Sequence, residues 1–150
     1  MNAPIKFLLN NAVEENIVEH LRACDADFVP PLSTKVDVLK YAHKLVSSAI
    51  RFEAWAAGRM VGLVAVYCND QENGIAYISN VSVLREWTRK GIAKKLIKLC
   101  IEHVASLGLM QIRLEVTESN FPAVNLYEQI GFVEMNANPP LVVMEMFLKS

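Results

Sequence analysis

Cysteine is scarce in this chain: Cys24, Cys68 and Cys100 are the only three in 150 residues. Their number is odd and no Cys-x-x-Cys spacing occurs, which excludes a fully paired disulfide framework and points to reduced thiols. Histidine is as sparse, with His20, His43 and His103 scattered along the chain. The one close pairing, Cys100 with His103, offers two ligands where a structural zinc site wants four. No metal is therefore expected, and helix-face packing accounts for the pair. An excess of charge is missing too. The net charge is −1, which argues against a general nucleic-acid binder. No apolar run reaches about 18 residues, so no membrane-spanning helix and no membrane partner are expected. The opening Met1-Asn2-Ala3-Pro4-Ile5-Lys6 lacks the basic-then-apolar order of a secretory signal, so a cytoplasmic location is expected. Repeats, low-complexity tracts and linkers are likewise absent.

What is present is enough apolar residue for a core. Hydrophobic side chains make up 53% of the chain, which excludes disorder. A chain of this length can bury roughly 70% of its unfolded surface, and residues 1–150 read as a single domain. Ile5 to Leu9 suit a first strand. Asn10 or Asn11 can cap a helix bearing Val13, Ile17, Val18 and Leu21 on one face. Phe28-Val29-Pro30-Pro31-Leu32 breaks it, and Ser33 or Thr34 can cap a second helix with Val36, Leu39, Leu45 and Val46 inward. Phe52–Ala57 and Met60–Tyr67 flank a Gly58-Arg59 turn as a hairpin. After the polar turn at 69–74, residues 75–83 form a strand that leads into Gly91. A long helix follows, with Ile92, Leu96, Leu99, Ile101, Val104 and Leu107 apolar, and Gly108 ends it. Strand 111–116, helix 121–130 and strands 132–135 and 141–148 complete the order β-α-α-β-β-β-α-β-α-β-β. Hairpins mixed with a central β-α-β-α unit predict an α/β (α+β by some schemes) fold on one mixed sheet of about seven strands, flanked by about four helices.

Two segments carry chemistry. The first is Thr88-Arg89-Lys90-Gly91-Ile92-Ala93, a basic, glycine-bearing turn between strand and helix. Backbone N–H groups and the positive end of the helix dipole converge there, as phosphate binding requires. Gly91 lets the backbone approach a ligand closely. The second is Asn120-Phe121-Pro122-Ala123-Val124-Asn125-Leu126-Tyr127, followed by Gly131-Phe132. Tyr127 lies seven residues after Asn120, two turns along the same helix face.

Together these segments resemble the acetyl-CoA signature of the GNAT superfamily of N-acetyltransferases. Asn120, Ala123, Leu126, Tyr127, Gly131 and Phe132 all fall on the family's Asn-x-x-Ala-x-x-Leu-Tyr-x-x-x-Gly-Phe spacing. Gly91 and Ala93 match the glycine turn, where Thr88 stands in place of the usual Arg or Gln. Arg85, Arg89 and Lys90 can restore the charge that Thr88 lacks, and its hydroxyl can reach a phosphate oxygen. The resemblance covers roughly residues 60–148. It implies the GNAT fold, with acetyl-CoA as cosubstrate and Val83, Thr88, Arg89, Lys90, Gly91, Ile92, Ala93, Asn120 and Ala123 as its binding residues. It further implies direct attack of an amine on the acetyl carbonyl. Val81 would offer the backbone N–H for the oxyanion, on a strand splayed from its neighbour by a bulge. Tyr127 would be the general acid toward the departing thiolate.

The base is left open. Family members often carry a Glu on the strand before the glycine turn, yet residues 75–83 hold no carboxylate. Tyr77, Ser79, Asn80 and Ser82 can hold a relaying water, while Asp70, Glu72 and Glu115 are more remote candidates. For the acceptor, Phe28 to Leu32 form a stiff apolar lip, and Asp37 and Tyr41 lie one turn apart on the next helix. A small-molecule amine is the expected partner, with a protein or peptide acetylase and a non-catalytic acyl-CoA sensor as alternatives. The basic residues Arg89, Lys90, Lys94 and Lys95 are explained by the phosphates of CoA without nucleic acid. A homodimer is left open.

Overall fold

The computed structural model describes residues 3–148. Strands β1 (Lys6–Leu9), β2 (Ile50–Ala56), β3 (Arg59–Asp70), β4 (Ile75–Val83), β5 (Gln111–Thr117), β6 (Val133–Asn138) and β7 (Leu141–Phe147) form one sheet in the order β1-β2-β3-β4-β5-β7-β6. Helices α1 (Glu14–Cys24), α2 (Val38–Ser48), α3 (Ile92–Ser106) and α4 (Phe121–Ile130) flank it. Every pairing is antiparallel except β4 with β5. The element order expected from the sequence is the observed one.

Two apolar layers sandwich the sheet. Ile17, Leu21, Ala42 and Leu45 of α1 and α2 meet Met60, Leu63 and Ala65 of β3. On the opposite face Ile92, Leu96, Cys100 and Val104 of α3 meet Val61, Val64 and Val66. Gly62 lies under α3, and a Cβ there would stand 2.8 Å from Ile92 Cγ2 and 3.1 Å from Leu96 Cδ1. A bare backbone at this position sets how closely α3 approaches the strand.

The helix starts differ from the expected ones for visible reasons. Asn11 and Ala12 donate their N–H groups to the buried Glu53 carboxylate at 3.0–3.2 Å. Asn10 pairs with Arg51 through both its backbone N–H and its side-chain oxygen. That segment is therefore anchored to β2, and α1 begins only after Val13, whose N–H donates to Asn16 Oδ1 at 2.9 Å. Ser33 donates its N–H and hydroxyl to Asp25, and the Thr34 hydroxyl donates to the Pro31 carbonyl. The cap of α2 consequently falls to Asp37, which accepts from the Lys40 N–H at 3.2 Å. Leu39 and Leu107, expected inward, are exposed, whereas Ile97 and Cys100 are buried.

Candidate active site

The parallel pairing of β4 with β5 is short. It runs from Ile75 with Gln111 to Tyr77 with Arg113, after which the two strands part. Both continue unpaired with each other, β4 to Val83 and β5 to Thr117, and a wedge opens between them. A bulge starts the divergence: Ala65 pairs with Asn80 and Val66 with Ile78, so Ser79 is the extra residue. Tyr41 of α2 locks the bulge, donating its hydroxyl to the Ser79 carbonyl at 2.9 Å and lying 2.7 Å from Ser79 Oγ. Tyr41 thus serves the strand, and it does not line the cleft.

Backbone alternation decides which N–H groups face the wedge. Leu84 donates to the Val61 carbonyl, and Val81 pairs with Val64 in the same register. Successive residues of an antiparallel pair turn their N–H groups alternately to the partner and away. Leu84 and Ser82 therefore bond toward β3, while Val81 and Val83 direct their N–H groups into the gap left by β5.

The wedge is the floor of a cleft of about 590 Å³. One end is the start of α3. Gly91 is its N-cap at φ 76°, and Arg89 also takes a left-handed backbone at φ 64°. Among the described residues no side chain caps this helix, and its first N–H groups have no intrahelical partners. A Cβ on Gly91 would meet nothing within 4 Å. The open space above it, the exposed backbone donors and the nearby Arg89 and Lys94 fit a phosphate-bearing ligand such as CoA. The start of α4 is different. Asn120 Oδ1 accepts from the Ala123 N–H at 3.4 Å, and its amide N–H groups remain available to the cleft that it lines.

Tyr127 sits on the wall between these two helix starts, 7% exposed, with its ring edge-on to Phe132 at 6.0 Å. No hydrogen bond reaches its hydroxyl among the described residues. Burial pushes its pKa up to about 12, so at neutral pH it is a proton donor.

Most expected site residues converge. Val81, Val83, Thr88, Arg89, Gly91, Ile92, Ala93, Asn120, Ala123 and Tyr127 all line the cleft, whereas Lys90 is exposed and outside its wall. Two charge and hydroxyl expectations need correction. The Thr88 hydroxyl donates to the Arg85 carbonyl at 2.7 Å, so its proton is spent on the turn. Arg85 is committed to Asp27 through Nε and Nη2. Asp37 lies on a separate shallow depression with Arg22 and Asp25, away from the cleft. Of the three remote carboxylates, Asp70 holds the β3–β4 turn through Asn73, and neither it nor Glu72 lines the cleft. Glu115 does, and it accepts from the Tyr77 hydroxyl at 3.0 Å.

The side of the cleft opposite α3 and α4 is covered by the segment joining α1 to α2. Phe28, Val29 and Leu32 line it, while Pro31 does not. This segment is fastened at both ends of the wedge, by Asp27 to Arg85 after β4 and by the Thr117 hydroxyl, which donates to the Val29 carbonyl at 2.7 Å. Thr117 was invisible as a site residue in the sequence, because only the fold brings it next to Val29.

Beneath the floor lies a buried polar chain. His20 Nδ1–H donates to the Met60 carbonyl at 3.0 Å, which leaves Nε2 to accept from the Ser82 hydroxyl at 2.8 Å. Ser82 in turn accepts from Asn80 Nδ2 at 2.9 Å. Burial lowers the His20 pKa to about 4. Cys24 also lines the cleft, but burial, with Asp27 next in effect, pushes its thiol up to about 12. It is a thiol at neutral pH and a poor nucleophile.

Known proteins share the sequence pattern and the fold. The Acetyltransferase (GNAT) family model matches residues 15–132. A probable spermine N(1)-acetyltransferase of Bacillus subtilis subsp. natto is 32% identical over 104 residues, covering 67% of this chain and 68% of that protein. N-alpha-acetyltransferase 30 of Saccharomyces cerevisiae is 28% identical over 126 residues, 81% of this chain and 72% of that one. The crystal structure of PaiA N-acetyltransferase from Thermoplasma acidophilum in complex with coenzyme A superposes with a TM-score of 0.76 at 17% identity, covering 98% and 99% of the two chains. The chain therefore belongs to the GNAT acetyltransferase family, as an N-acetyltransferase.

Proposed function

We propose that the protein transfers the acetyl group of acetyl-CoA to a primary amine of a small cationic molecule by direct attack. Acetyl-CoA supplies the activated carbonyl. The uncapped start of α3, with Gly91, Ile92, Ala93 and Arg89, receives its pyrophosphate, and the Asn120 amide and Ala123 flank the pantetheine arm. The Val81 N–H stands where the carbonyl oxygen gains charge, a contribution of roughly 3–4 kcal/mol in a preorganised site. Tyr127 faces the departing sulfur. Its pKa of about 12 lies well above a thiol's ~8.5. Complete transfer ahead of bond breaking is therefore uphill, and Tyr127 donates its proton only as it recovers one from the nitrogen.

The single observation that carries a small acceptor is the covering α1–α2 segment, fastened by Asp27 to Arg85 just after β4 and by Val29 to Thr117 of β5. A wedge covered on this side favours a compact acceptor over an extended chain. The similarity to a probable spermine N(1)-acetyltransferase supports a polyamine. The similarity to an N-alpha-acetyltransferase favours the second reading, a peptide or protein N-terminus. Three free thiols accord with a reducing, cytoplasmic setting. The test is thiol release from acetyl-CoA with spermidine, spermine, amino sugars and N-terminal peptides. Turnover of polyamines in preference to peptides supports the proposal. Preference for peptides moves the assignment to the second reading, and tight acetyl-CoA binding with no turnover refutes transfer.

A further inference from the structure

We infer that Lys35 is a self-acetylation site: its side-chain amine takes the acetyl group within the same chain when no other acceptor occupies the cleft. The inference rests on the acetyl-transfer reading above. Two lysines line the cleft, Lys35 and Lys94. Lys94 belongs to the first turn of α3, at the end proposed for the phosphates. Lys35 belongs to the covering segment with Phe28, Val29 and Leu32, on the side proposed for the acceptor. A primary alkylamine of the chain thus shares the space assigned to the amine that is acetylated. No ion pair holds it among the described residues, whereas Arg51, Arg59, Arg85 and Arg113 each meet a carboxylate. Of the acids in the same cleft, Asp27 is taken by Arg85 and Glu115 accepts from Tyr77.

The backbone beneath Lys35 is held while its side chain is exposed. Asp25 accepts from the Ser33 N–H at 2.6 Å and from its hydroxyl at 2.8 Å. The Thr34 hydroxyl donates to the Pro31 carbonyl at 2.6 Å. The Lys35 and Val36 N–H groups both donate to the Leu32 carbonyl, at 2.9 and 3.1 Å. Leu32 itself is buried. Earlier in the segment, Arg85 donates to Asp27 and Thr117 to the Val29 carbonyl. Lys35 therefore swings a flexible four-carbon stem from a fixed point on the cleft wall. An amine tethered this way acts at an effective concentration on the order of millimolar. It needs no encounter with a second molecule, and a free acceptor must exceed that concentration to displace it.

The transfer balances without a further reactant. The Lys35 ammonium gives one proton to solvent. Its lone pair forms the N–C bond, and the C–S pair leaves with sulfur. The second nitrogen proton replaces the one that Tyr127 gives to the thiolate. The products are Nζ-acetyl-Lys35 and the CoA thiol. The amide carries no charge, and this has a consequence for the acceptor. Lys35, Arg89 and Lys94 make this cleft wall positive, which opposes entry of a cationic acceptor. Acetylation removes one of those charges.

The full chain is incubated with isotopically labelled acetyl-CoA and no added amine, then digested with a glutamate-specific protease and read by mass spectrometry. One acetyl group should appear on Lys35, at a rate independent of protein concentration. Lys40, exposed on α2 and outside the cleft wall, should be labelled only at the rate of uncatalysed chemical acetylation. Tyr127→Phe should slow Lys35 to the Lys40 rate and leave Lys40 unchanged. Saturating spermidine should protect Lys35. Lys35→Gln, which removes the charge, should show a KM for spermidine about two- to five-fold lower than Lys35→Arg, which keeps it, at low salt. Labelling of Lys35 no faster than Lys40 while spermidine is turned over would overturn the proposal and leave the transfer reading standing. A rate that rises with protein concentration, or no protection by spermidine, would overturn it as well. Equal KM values in the two variants would refute the charge effect. No acetyl on Lys35 and no thiol release with any amine would remove the acetyl-transfer reading itself, and this inference with it.

Discussion

The two ends of the cleft are built from different materials. The α3 end is backbone: a left-handed turn at Arg89 and Gly91 and a helix start that no side chain caps. The end proposed for the acceptor is side chain: Tyr77 on Glu115, Thr117 on Val29, Arg85 on Asp27. A backbone site tolerates most side chains but needs glycine at a few positions. A side-chain site needs specific groups from distant segments, since Tyr77 and Glu115 are 38 residues apart and Thr117 and Val29 are 88. Binding and chemistry should therefore fail separately when each end is damaged.

Damage to the chemical centre should have the largest effect. Tyr127→Phe removes one hydroxyl and keeps the ring against Phe132. Single-turnover rates should fall roughly 10²–10⁴-fold, with acetyl-CoA affinity unchanged by calorimetry. A better leaving group than CoA thiolate should restore part of the rate. A wild-type rate would make Tyr127 a packing residue only.

The floor beneath both ends should be acid-sensitive. His20 has a folded pKa of about 4 against an ordinary value of 6.5. The unfolded chain binds this proton first, so stability is full above pH 6.5 and is lost as pH falls toward 4. The loss is about 3 kcal/mol by linkage. Urea midpoints between pH 7 and 4 should show it, and His20→Gln should flatten that dependence. An equal slope in the variant would place the acid sensitivity elsewhere.

Gly62→Ala probes the frame instead of either end. The added methyl presses on Ile92 and Leu96 and should cost about 1–3 kcal/mol of stability. It should also disturb the start of α3, raising KM for acetyl-CoA more than KM for the acceptor. A shift of both by the same factor would show that the frame does not distinguish the ends. The smallest effect expected is that of salt. The charges at the α3 end are exposed, so going from 0.05 to 0.5 M sodium chloride should weaken acetyl-CoA binding only about few-fold. The single-turnover rate at saturation should stay constant.

The same contrast explains what the sequence made legible. The element order, the mixed sheet and the turn at 88–93 follow from local periodicity and from residues adjacent in the chain. Asn120, Ala123 and Tyr127 share one helix face, so their spacing alone placed them together. The spending of the Thr88 hydroxyl on Arg85 and of Arg85 on Asp27 was not legible, because a basic residue near a phosphate turn looks the same whether free or paired. Glu115 looked remote because it comes beside Tyr77 only through the parallel pairing of β4 with β5. The caps at Asn11 and Ser33 were misread because Glu53 and Asp25, far along the chain or across a turn, compete for those groups.

The most direct test of separable ends is Gly91→Val at saturating acetyl-CoA. Gly91 adopts φ 76°, where a side chain costs about 1–2 kcal/mol, and the valine fills the space above the turn. Affinity for acetyl-CoA should fall roughly 10–100-fold, the worth of one or two charge-assisted hydrogen bonds, in a protein with native circular dichroism. Once acetyl-CoA saturates, the single-turnover rate should return to within a few-fold of wild type, as it does not in Tyr127→Phe. Unchanged affinity in the folded variant, or a rate that saturation does not restore, would contradict a phosphate site at this turn that acts apart from the chemistry.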